Sequence, residues 1–171
     1  MTAHLRLIAR QLAHLQRMCE YLAYSTQRVQ RILPISNWRA LSLEQHETLA
    51  AFRVRFSEFQ EHLGKTMRAV AIEEEIEVER FGSVLAFMEK LGVLESTERW
   101  KIIRELRNAV NHEYEEDADR LTQFFTEMVK ATPELFEHYR RYWISAPKLM
   151  GSSQNEHAER VRGTTRKINW G

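Results

Sequence analysis

The chain has one cysteine, three prolines and six glycines in 171 residues. A lone Cys19 closes no internal disulfide, so the fold must hold by packing, and a free thiol fits a reducing compartment. Before residue 145 the turn-forming residues reduce to Gly64, Gly82, Gly92, Pro34 and Pro133, fewer than a sheet joined by tight turns requires. No stretch approaches the roughly 18 uninterrupted apolar residues of a membrane span. Charges also fall too early at the N-terminus for a secretory segment. A cytoplasmic protein without membrane association is expected. A glycine-rich phosphate loop is missing, as are His-x-x-x-His pairs and Glu-x-x-His motifs. No metal and no other cofactor is therefore expected.

Net charge is only +1, yet the charges are segregated. Residues 1–39 carry Arg6, Arg10, Arg17, Arg28, Arg31 and Arg39 against the single acid Glu20, whereas residues 73–79 hold five glutamates. Segregation of this kind concerns partners more than fold.

Apolar spacing predicts a bundle of helices. Ile8, Leu12, Leu15, Cys19, Leu22, Thr26, Val29 and Leu33 follow an i, i+3/i+4 rhythm, which predicts one helix over about 3–33, ended by Pro34. Cys19 on that stripe reads as packing rather than chemistry. On a wheel of about 100° per residue, Arg10, Arg17, Arg28 and Arg31 all lie within roughly 40° of Arg6, opposite the stripe, in a row nearly 40 Å long. The plain reading of that row is a solvated face. The sharper one is a track for RNA phosphates or for the acidic surface of a protein partner.

Ser42 and Gln45 form a capping box for a second helix with the stripe Leu49, Phe52, Phe56, Phe59, Leu63, Met67 and Val70. Gly64 within it marks a close approach or a kink. A third helix over about 83–91 stops at Gly92, and a fourth opens at Ser96 or Thr97. Asp117 and Asp119 open a fifth, and Thr132-Pro133 predicts a separate sixth. The expectation is an all-α, antiparallel up-and-down bundle of five to six helices over 1–144, followed by a flexible basic tail over 145–171.

The segment Arg107-Asn108-Ala109-Val110-Asn111-His112-Glu113-Tyr114 stands out. Arginine stabilises charge developing on a phosphate, and histidine moves a proton near neutral pH. On the wheel Arg107 aligns with Asn111 and Tyr114, while Asn108 pairs with His112; convergence of all five requires the helix to end or distort near His112. An arginine and a histidine at a helix C-terminus can also serve only to complement its dipole.

The pattern R-x4-H-x-Y, with a polar residue after the arginine, resembles the signature of HEPN-domain proteins, and most of all HepT-type toxins. The matching residues are Arg107, Asn108, His112 and Tyr114. The resemblance implies a metal-independent ribonuclease in which His112 acts as general acid or base, Arg107 holds the scissile phosphate and Asn108 assists. It implies a homodimer with a composite site and a nucleotidyltransferase antitoxin that adenylylates Tyr114. The alternative is a non-catalytic helical module that binds a nucleotidyltransferase or nucleotide.

Overall fold

A computed structural model describes residues 3–109 and 117–145. Every regular element among them is helical: α1 (Ala3–Gln30), a 3₁₀ turn (Trp38–Ala40), α2 (Leu43–Glu73), α3 (Phe81–Lys90), α4 (Thr97–Asn108) and α5 (Ala118–Ser145). No helix among the described residues is long and apolar enough to cross a membrane. Residues 146–171 of the expected tail lie outside the described residues, and Ser145 closes α5.

The helix ends follow local chemistry. At the start of α2 the Ser42 Oγ accepts from the Gln45 N–H (3.1 Å) and the Gln45 Oε1 accepts from the Ser42 N–H (2.9 Å). Each bond satisfies a backbone donor that the helix itself leaves free. The far end of α2 closes with Glu75 N–H on the Ile72 carbonyl and Ile76 N–H on the Ala71 carbonyl, which forces Glu75 to φ +57°. The same closure ends α3, where Gly92 takes the left-handed position at φ +74° without steric cost. At the start of α4, Ser96 accepts from Arg99 N–H, and Glu89 of α3 accepts from both the N–H and the hydroxyl of Thr97. That carboxylate fixes α4 to the end of α3.

Helix α1 ends at Gln30, three residues short of the expected boundary. The α conformation is disfavoured for the residue before a proline, and the chain closes with Ile32 and Leu33 both donating to the Val29 carbonyl. The expected sixth helix does not form separately: α5 runs unbroken through Pro133. Thr132-Pro133 has the local look of a helix start, but the apolar phase does not reset there. Leu121, Phe125, Met128, Leu135, Phe136, Tyr139 and Tyr142 keep one buried face. Burying a large apolar side chain contributes about 1.5–3 kcal/mol. Several such residues beyond Pro133 together outweigh the ~3 kcal/mol cost of an interior proline.

Packing places α1 and α2 head to tail, with His4 against Ala69 and Glu73 at one end and Arg28 against Glu44 at the other. Helices α2 and α5 advance in the same sense, as Phe52 meets Phe125, Phe59 meets Phe136 and Tyr139, and the Tyr142 hydroxyl reaches the Thr66 carbonyl. All seven stripe residues expected for α2 are buried, as are Ile8, Leu12, Leu15, Cys19, Leu22, Thr26 and Val29 of α1. Burial raises the Cys19 thiol above its ordinary pKa, in keeping with a packing role.

Candidate functional site

Helix α4 is held by its buried face and by an ion pair in its first turn. Trp100 and Ile103 enter the core, and the Arg99 guanidinium makes a two-pronged ion pair with Glu134 of α5, each contact 2.7 Å. Planar bidentate pairing fixes orientation as well as distance. With α4 so anchored, its outer residues at one helical spacing, Arg104 and Arg107, face α2 across a groove of about 480 Å³.

Lys65 and Arg68 of α2 supply the opposite rim. Each pair is spaced i, i+3, which puts both members on one helix face. The one carboxylate in the groove is Glu61, whose oxygen accepts from Lys65 at 2.8 Å. The Lys65 contact holds the Glu61 carboxyl below its ordinary range, and the charge of Arg107 pushes it the same way. Four cations thus face one acid.

The apolar part of the groove is aromatic. Phe81, the first residue of α3, and Trp100 both approach α2 at Gly64. A Cβ on Gly64 would stand 3.4 Å from Phe81 Cζ and 3.5 Å from Trp100 Cζ2. Gly64 therefore marks a close approach, and α2 continues through it. Trp100 and Gln60 are both only 2% exposed, and neither the Trp100 indole N–H nor the Gln60 Oε1 has a hydrogen-bond partner.

Arg107 occupies the last turn of α4, and its Nε and Nη2 both lie 3.4 Å from the Asn108 Oδ1, so the amide oxygen points into the guanidinium fork. Arg107 is half-buried and Asn108 exposed. A cation in a last helical turn also complements the dipole, for about 0.3–1 kcal/mol. Helix α4 ends at Asn108 with Ala109 as its cap. His112 and Tyr114, like Val110, Asn111 and Glu113, lie outside the described residues.

The arginines expected to form a single row divide into two groups. Arg6, Arg10 and Arg17 are exposed on α1. Arg28 donates to Glu44 at 2.7 Å and lies over the Tyr24 ring, and Arg31 falls just past the helix end. Among the described residues no group of three or more His, Cys, Asp or Glu side chains is gathered as a metal site would need.

His138, to which sequence reasoning gave no role, lies against the back of the groove. It is buried on α5, its ring 6.0 Å from that of Trp100, and its Nδ1 has no partner. Desolvation pushes its pKa down to about 4, so it is neutral near pH 7. The groove itself also escaped sequence reasoning, although two cation pairs at i, i+3 and a mid-helix glycine were its visible traces. No family model, no curated protein and no solved structure matches the chain.

Proposed function

We propose that this chain is a metal-independent endoribonuclease toxin of the HEPN type, acting as a homodimer and silenced by a nucleotidyltransferase antitoxin. The observation that carries the reading is the setting of Arg107: beside the Asn108 amide oxygen, at the end of α4, on a groove with three further cations. Such a surface suits the charge that builds on a phosphate during transfer. His112, five residues on in the sequence, supplies proton transfer near neutral pH.

In the proposed reaction the RNA 2′-hydroxyl attacks phosphorus, the P–O5′ bond breaks, and the leaving oxygen takes a proton. The 2′-hydroxyl proton passes to a base, and the products are a cyclic phosphate and a free 5′-hydroxyl. One motif holds one histidine, whereas the reaction uses a base and an acid; a symmetric pair of motifs supplies both. Adenylylation of Tyr114 would set a negative phosphate beside the site and repel the substrate.

The test is cleavage of labelled RNA in chelator by the wild-type protein, Arg107→Ala and His112→Ala. Cleavage by the wild type and its loss in both variants is expected. Intact RNA with folded wild-type protein on several substrates would leave the non-catalytic binding module. Mass spectrometry after co-expression with a nucleotidyltransferase checks the off-switch: added AMP should vanish in Tyr114→Phe.

A further inference from the structure

We infer that the groove between α2 and α4 is a binding subsite for single-stranded RNA, with Lys65, Arg68 and Arg104 on the backbone phosphates and Phe81 against a base. This inference rests on the ribonuclease reading for the identity of its ligand and adds to it three cations and an aromatic residue that the motif does not contain.

The charge pattern selects a polyanion. Arg68 and Arg104 are exposed on facing helices, and Arg107 continues the α4 rim toward the motif. The cations thus lead from the groove to the proposed cleavage point rather than encircling a closed pocket. A volume of about 480 Å³ is that of a small-ligand site, and a nucleotide unit is of that scale.

The aromatic wall selects a ligand that also has flat apolar faces. Phe81 is half-buried, so part of it is available to the groove, and stacking on such a ring serves any base. An acidic peptide satisfies the cations but brings no stacking face.

The test is binding of a fluorescein-labelled ten-nucleotide single-stranded RNA to the full chain by anisotropy in chelator, with His112→Ala as the background that prevents turnover. Arg68→Glu and Arg104→Glu are each expected to weaken binding tenfold or more and to flatten the dependence of log Kd on log salt. Phe81→Ala is expected to weaken it several-fold with the salt slope unchanged. Circular dichroism verifies folding, and the charge-neutral Arg68→Gln and Arg104→Gln repeat the test with less perturbation. Wild-type-like binding by the folded groove variants, or no RNA binding by the parent protein, overturns the inference. In the first case the groove is left as a surface for an acidic protein partner. The two readings fail separately. Groove-dependent binding by a wild-type chain that never cleaves sinks the nuclease and keeps the subsite. Undiminished cleavage by Arg68→Glu and Arg104→Glu, with kcat/KM unchanged, does the reverse.

Discussion

The molecule has two basic surfaces, and they are built in opposite ways. The α1 row follows from one wheel phase, yet on the helix it presents Arg6, Arg10 and Arg17 to solvent, while Arg28 is committed to Glu44. The α2–α4 groove takes its cations from residues 36 to 42 positions apart, Lys65 and Arg68 against Arg104 and Arg107, and sets them around an aromatic wall. A linear row concentrates charge along a line. A groove concentrates it around a volume, where low-dielectric walls strengthen each contact. The difference suggests that the first serves attraction at a distance and the second recognition.

The largest expected effect lies in the Arg107–Tyr114 segment. Loss of a general acid or base costs about 10²–10⁴ in rate, so His112→Ala should fall by that much, and Arg107→Ala by a similar factor. Triple charge reversal of Arg6, Arg10 and Arg17 should leave kcat unchanged. A comparable kcat loss from the triple variant, measured under saturating RNA, would erase the distinction between the two surfaces.

The next effect concerns the back of the wall. His138 packs against Trp100 and is faced by Glu134, Glu137, Arg141 and Arg99. Its pKa is depressed to about 4, so between that value and about 6.5 the unfolded chain binds a proton that the folded chain does not. Stability therefore falls as pH drops through that window, by an amount on the order of 3 kcal/mol at most. Below pH 4 this contribution is fully lost and flat. Urea unfolding at pH 7.5 and 4.5 should show a smaller loss for His138→Gln than for wild type. Equal losses would show that the histidine is not held neutral by burial.

A smaller effect separates the two surfaces by salt. Reversing Arg10 and Arg17 should slow RNA association at low ionic strength while changing equilibrium binding near 0.15 M salt by about twofold or less, because exposed charges are screened over about 8 Å there. Stopped-flow mixing across a salt series distinguishes this from the groove variants. A large equilibrium loss at 0.15 M would make the α1 row a true RNA track.

Much of the frame was legible because it is written locally. The Ser42–Gln45 box, the stop at Gly92 and the α1 and α2 stripes each need only neighbours within a few turns, and each is present. Pro133 misled for a related reason. Its immediate neighbours favour a helix start, and only the apolar phase carried across both sides, from Phe125 to Phe136, shows one helix. The groove was illegible because its residues share no local period. Lys65 and Arg104 become neighbours only once Trp100 and Phe81 have packed at Gly64. The Arg107–Tyr114 segment was half legible: Arg107 lies on the groove beside Asn108, while His112 and Tyr114 rest on the sequence pattern alone.

Gly64 gives the smallest effect and the finest distinction. A glycine inside an exposed helix costs about 1 kcal/mol relative to alanine. Here an added Cβ would meet Phe81 and Trp100 at 3.4 and 3.5 Å, ordinary contact distances with no clash. Gly64→Ala should therefore fold normally and gain up to about 1 kcal/mol in urea unfolding. Its methyl would also restrict how far Phe81 can move toward α2. If the groove takes a base beside that ring, RNA affinity should fall slightly even as stability rises. The α1 row should feel nothing, so the salt-dependent association rate should stay as it is. A stabilised protein with unchanged affinity would reduce Phe81 to a packing residue. A destabilised one would show that the glycine serves a closer approach than the Cβ distances allow.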